Sequence, residues 1–144
     1  MNKRIIYGLL LILALIIITG CNSKKISSNS NEVMKTMKVI VEDKEYIVDL
    51  ENNKTTKKFI KILPQEFSMT ELNNNEKYVY LNESLPTKSY NPKHIDAGDI
   101  MLFGNDCLVI FYKSFDTSYS YTKIGHIKDL PDLGNENIII KFMK

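Results

Sequence analysis

Two cysteines and two histidines are the side chains in this chain best suited to nucleophilic, acid–base or metal chemistry, and they are scattered: Cys21, His94, Cys107 and His126. A zinc site needs three or four ligands. Those on offer, the two histidines with Asp96, Asp99 and Cys107, fall at no recognised ligand spacing. A triad drawn among Ser118, His94 and Asp96 rests on residue type alone. The Gly-x-Ser-x-Gly elbow that would present such a serine is absent, as are a P-loop and a Gly-x-Gly-x-x-Gly fingerprint. Cys107 opens the run Cys-Leu-Val-Ile-Phe-Tyr, which reads as a buried strand, so this thiol is expected to pack as a small core residue. No catalytic residue, metal ligand or cofactor is assigned.

Cys21 stands in a different setting. Lys3 and Arg4 form a short positive start, and Ile5 to Ile18 is an apolar stretch interrupted by Gly8. That stretch is short of the ~20 residues needed to span a bilayer. Ile18-Thr19-Gly20-Cys21 follows, an aliphatic residue and two small ones before a cysteine, which resembles the lipobox of bacterial lipoproteins. The resemblance implies cleavage after residue 20 and acylation of the Cys21 thiol, with palmitate among the chains. Several acyl chains at ~0.8 kcal/mol per buried CH₂ make a permanent anchor. The expected location is the extracytoplasmic face of the cell membrane, and Asn22 in place of aspartate gives no sign of inner-membrane retention. An acylated Cys21 leaves Cys107 without a disulfide partner, so the fold must stand on its core.

The richest polar–aromatic stretch runs from Tyr112 to Thr122. Hydroxylated aromatics at loop–strand junctions suit a pocket, because each supplies apolar area with a polar handle. Phe115, Ser118, Tyr119, Tyr121 and Thr122, with Tyr78 and Tyr80 as neighbours, are therefore the candidate ligand-binding residues. The alternative is that Tyr119 and Tyr121 share one strand face and pack the core.

These residues need a scaffold. The chain has 144 residues, 44% of them hydrophobic, with a formal charge of +2, which is room for one domain. Setting aside Lys3 and Arg4, the remaining 17 basic residues balance 17 acidic ones. A neutral domain lacks the basic face of a nucleic-acid binder. Residues 21–35 are polar and read as a tether of about 20 Å. From residue 36 the pattern is that of strands. Met37, Val39 and Val41 alternate with Lys38, Ile40 and Glu42, Asp43-Lys44 offers a turn, and Tyr46, Val48 and Leu50 alternate with Glu45, Ile47 and Asp49. Asn52 to Thr56 offers helix caps ahead of Phe59, Ile60, Ile62 and Leu63. Further strands are expected at Phe67–Thr70, Lys77–Leu81, Ile100–Phe103, Cys107–Tyr112, Tyr119–Thr122 and Ile138–Phe142. Asn73-Asn74-Asn75 and Gly104-Asn105-Asp106 supply positive-φ turn positions. About eight short strands imply a mainly β domain, a closed barrel or a sandwich.

Several of these segments together resemble the bacterial cyclophilin-like domain family. They are Asn75-Glu76-Lys77-Tyr78, Ala97-Gly98-Asp99-Ile100-Met101-Leu102, and Tyr112 to Phe115 followed by Thr117 to Gly125. Thr55 to Phe59 with Leu63-Pro64, and Ser84-Leu85-Pro86, follow the same order. The resemblance implies a small closed β-barrel of about eight strands with one or two short helices, over residues 36–144 behind the signal peptide (1–20) and tether (21–35). True cyclophilins set an arginine against the substrate proline. Here Arg4 leaves with the signal peptide and no other arginine exists, tryptophan is absent, and Gly98-Asp99 lacks a preceding Gln-Gly. Lysine is a poor substitute for a planar fork of donors. The expected function is thus a non-catalytic module binding a small molecule or peptide. The alternatives are a divergent prolyl isomerase acting on secreted proteins, or a structural or interaction protein of the envelope without a pocket.

Overall fold

The computed structural model describes residues 34–144. The expected signal peptide, the acylated Cys21 and nearly all of the tether lie outside the described residues. Thr36–Val41 (β1) and Lys44–Leu50 (β2) form the first hairpin, with Met37, Val39, Val41, Tyr46 and Val48 buried as the alternation requires. Its turn lies one residue earlier than expected, with positive φ at Glu42 and Asp43. The helix Lys54–Lys61 (α1) is capped by Asn53, whose side chain accepts from the Thr56 amide at 2.8 Å, and buries Phe59. Gln65–Leu72 (β3) and Glu76–Tyr80 (β4) meet at Asn73 and Asn74, both at positive φ. Asparagine tolerates that backbone better than most residues, which makes the tight turn accessible.

His94–Ile95 (β5), Asp99–Phe103 (β6), Cys107–Phe111 (β7), Phe115–Asp116 (β8), Thr122–Ile127 (β9) and Ile138–Met143 (β10) complete the chain. Eight strands close an antiparallel barrel in the order β1-β10-β3-β4-β7-β6-β9-β2, and β2 returns to β1. β5 and β8 pair as a separate two-stranded ribbon. Among the described residues a single short helix, α1, accompanies the barrel. Among the described residues, no helix is long and apolar enough to cross a membrane.

One strand differs from expectation. Tyr119–Thr122 is not a strand of the barrel; Tyr121 makes an isolated bridge to Tyr90, and the strand is Thr122–Ile127. Its alternation is broken by Gly125 and by a bulge opposite Ile100/Met101, so a period-2 reading cannot see it. The β5–β8 ribbon is equally invisible, because two-residue strands carry no period.

The barrel interior is filled from every side, with Phe59 of α1 set edge-on to Phe142 of β10 at 5.5 Å. Residues 36–143 supply every barrel strand and this core, so the segment has what it needs to fold alone. A second apolar cluster forms outside the barrel. It contains Met101, Cys107, Val109 and Phe111, with Ile95 and Tyr121 laid over them by the flanking loops.

Candidate functional site

Strand alternation divides β4, β7 and β6 cleanly. Leu108, Ile110, Ile100 and Leu102 point into the barrel, and the residues between them point out. Register then lines up three outward rows. Tyr80 stands opposite Cys107 and Cys107 opposite Phe103; Tyr78 faces Val109 and Val109 faces Met101; Glu76 faces Phe111. The segment after β8 folds across one side of this sheet, held by reciprocal backbone hydrogen bonds between Tyr90 and Tyr121 at 2.9 Å. The result is a concavity of about 340 Å³. Cys107 and Val109 form its floor, Tyr78 and Tyr80 one wall, and Phe103, Tyr119 and Tyr121 the other, with Glu76, Leu72 and Asn73 at one end. That volume lies at the lower end of the range for small-molecule sites.

The rings brace one another. Tyr78 and Tyr80 pack at 5.9 Å and 81°, and Phe103 and Tyr119 at 6.1 Å and 88°. Tyr121 touches both Phe103 and Phe111, at 5.6 and 5.5 Å. Tyr121 is nearly buried whereas Tyr119 and Tyr80 are 63% and 65% exposed, so the tyrosines present an exposed rim over a buried wall.

Of the residues proposed from sequence, Tyr78, Tyr80, Tyr119 and Tyr121 come together around this concavity. Phe115 sits elsewhere, stacked on Phe111 at 5.4 Å beside the β5–β8 ribbon. Ser118 is exposed, and its carbonyl accepts from the Asn91 side chain at 2.8 Å. Thr122 is buried, with its hydroxyl accepting from the Lys88 amide at 3.0 Å, which ties down the loop before β5. The sequence reading missed Glu76 and Phe103. Glu76 could have been found, because residues 76, 78 and 80 of one strand must share a face.

Glu76 is the one charged residue among those described around the concavity. Burial and the nearby charge of Glu71 push its carboxyl from an ordinary 4.5 up to about 7, and no hydrogen bond or cation offsets them among the described residues. Burial, with Asp106 and Glu76 behind it, likewise pushes the Cys107 thiol up to about 11. A thiol so protonated at neutral pH is a poor nucleophile, in keeping with a packing role.

A stability consequence follows for Glu76. Its raised value means that the folded state holds a proton which the unfolded chain has released. The associated stability is complete below pH 4.5 and is lost as pH rises through about 7. Glu76→Gln removes the charge, so the variant is expected to exceed the parent by about 1 kcal/mol at pH 8.5, after allowing for solvent screening, and to match it at pH 4. Urea unfolding at the two pH values checks this, and an equal difference at both would contradict it.

The histidines are engaged elsewhere. His126 Nδ1 lies 2.9 Å from Asp99 Oδ1, which also accepts from Lys123 Nζ at 2.9 Å, fastening β6 to β9. His94 Nδ1 lies 2.6 Å from Asp116 Oδ1, closing the β5–β8 ribbon. That hydrogen bond, with the charges of Asp116, Asp96 and Asp99, raises the His94 imidazole above its ordinary value. Among the described residues, no group of three or more His, Cys, Asp or Glu could hold a metal.

Comparison with known proteins adds one positive finding: a family model described as the cyclophilin-like family matches residues 39–143. No curated protein and no solved structure matches the chain.

Proposed function

Because the chain belongs to the cyclophilin-like family, we propose that its barrel is the binding module of a membrane-anchored lipoprotein, taking up a small molecule or peptide without catalysing a reaction. The observation that carries this reading is the aromatic concavity on the outer face of β4, β7 and β6. A surface that exposes Tyr80, Phe103 and Tyr119 beside a buried apolar floor gains free energy by covering them. The groove offers one carboxyl, one protonated thiol and phenols, and the chain after residue 20 has no arginine to set against a proline carbonyl.

Anchoring rests on the Ile18 to Cys21 pattern, and the extracytoplasmic location follows from it. The test has two arms. Palmitate labelling of the expressed chain is expected to be lost in Cys21→Ser, together with its membrane association. Thermal shift of residues 34–144 against metabolites and proline peptides is expected to give hits, since a ligand at 100 times its dissociation constant adds about 2.7 kcal/mol. A protease-coupled proline-peptide assay should show the uncatalysed rate, and acceleration would favour a divergent isomerase instead.

A further inference from the structure

Resting on the binding reading above, the geometry points to a ligand class: we propose that the groove is a receptor for an organic cation, a substituted ammonium seated among the tyrosine rings with the Glu76 carboxylate as its counter-ion. Three observations converge. First, aromatic rings line the groove on two sides, Tyr78 packed against Tyr80 and Phe103 against Tyr119 at nearly right angles, which supplies several π faces in one place. Cations are attracted to such faces, and more strongly where water is excluded.

Second, the charge in the groove is negative and uncompensated. Glu76 stands opposite Leu72 on β3 and Phe111 on β7, Glu71 of β3 lies near enough for its charge to be felt, and Tyr78, Cys107, Tyr119 and Tyr121 line the same groove. None of these is a cation. An anionic ligand would meet the Glu76 carboxylate. A neutral one would leave the Glu76 carboxylate dehydrated against an apolar floor. An ammonium group neutralises it in place.

Third, the protein's own lysines occupy other rings. Lys44 lies over Tyr46, and Lys77 and Lys113 lie over Tyr112. Among the described residues no cation sits over Tyr78, Tyr80, Tyr119 or Tyr121, so the groove's rings remain open to an incoming one.

Binding a cation favours ionised Glu76, and Cys107 and Tyr121 stay protonated beside it. The carboxyl that titrates near 7 then gives up its proton on binding below that pH, and affinity should rise about tenfold from pH 6 to pH 8.

The test is calorimetric titration of residues 34–144 with choline, with its neutral carbon isostere 3,3-dimethyl-1-butanol, and with Nα-acetyl-lysine amide to represent a peptide source. Choline or the lysine amide is expected to bind, the neutral isostere at least about tenfold more weakly than choline. Glu76→Gln, a variant expected to fold at least as well as the parent, should weaken the cation about tenfold and abolish the pH dependence. Tyr119→Ala, at an exposed position, should weaken it without unfolding. Stronger binding of choline than of the lysine amide assigns a free amine as the source, and the reverse a lysine side chain. Equal binding of choline and its isostere, or unchanged binding in Glu76→Gln, would overturn the proposal and leave the binding reading standing. Failure of both cations overturns it as well. If the neutral probes and the wider thermal-shift panel are also silent, the binding reading falls with it.

Discussion

Lys77→Met is expected to lower stability by about 3–5 kcal/mol, the range for breaking one partner out of a buried ion pair. Lys77 shares with Val79 the inward side of β4, and its side chain is wholly buried. All three ammonium protons find acceptors: Glu71 Oε2 at 2.5 Å, and the carbonyls of Gly134 and Glu136 at 2.7 Å each. Glu71 stands directly opposite on β3, and its carboxylate also accepts from the Tyr112 hydroxyl at 2.9 Å and the Asn74 amide at 2.6 Å. The Lys77 ammonium therefore joins β3, β4 and the segment before β10. A methionine of similar length keeps the packing but strands Glu71 and two carbonyls. Urea midpoints at unchanged slope measure the loss, and a loss below about 1 kcal/mol would contradict the assignment. Adding Glu71→Gln should recover part of it, because the two groups form one network.

The same network predicts an acid dependence. Burial pushes the Glu71 carboxyl up, but hydrogen bonds from Lys77, Tyr112 and Asn74 outweigh it and leave it below the usual 4.5. A depressed carboxyl contributes stability above 4.5 that is lost as pH falls through its folded value. In Lys77→Met this loss should be shallower than in the parent.

Gly98→Ala is the second large effect, about 3 kcal/mol or more. Gly98 has φ of +102°, its amide donates to the Phe111 carbonyl at 2.7 Å, and its own carbonyl accepts from the Ile127 amide at 2.8 Å. An added Cβ would collide with the Ile127 carbonyl oxygen and come within 2.9 Å of His126 Cε1. Backbone strain of about 1–3 kcal/mol therefore adds to overpacking of similar size, and the β9 backbone cannot yield without breaking the ladder. A melting temperature lowered by more than about 10 °C is expected. Gly104→Ala is the control. That residue has φ of +62° but open space around it, so about 1 kcal/mol is lost.

Much of the barrel was legible because its signals are local. Met37, Val39 and Val41 are apolar at every second residue, Asn73 and Asn74 suit the backbone of a tight turn, and Asn53 caps a helix three residues ahead. Each depends on neighbours within a few positions, where pleat, helix pitch and φ preference act. β9 and the β5–β8 ribbon escaped for the converse reason. A bulge and a glycine interrupt one, and the other is too short to have a period.

The candidate groove was half legible. A tyrosine-rich run announces a surface of use, yet only the chain's return over β6 and β7 separates Tyr119 and Tyr121, which line the concavity, from Phe115 and Thr122, which hold its supports. Polarity misleads at two neighbouring residues. Lys77 carries a residue type that is ordinarily exposed and is buried here, because Glu71 and two distant carbonyls meet its ammonium. Glu76 carries a charge of the type that ordinarily faces water and stands in an aromatic groove. Residue order writes the strands of this protein, since a pleat repeats every two residues. Closure of the ring assigns each face its surroundings, since burial and charge depend on partners that lie tens of residues away along the chain.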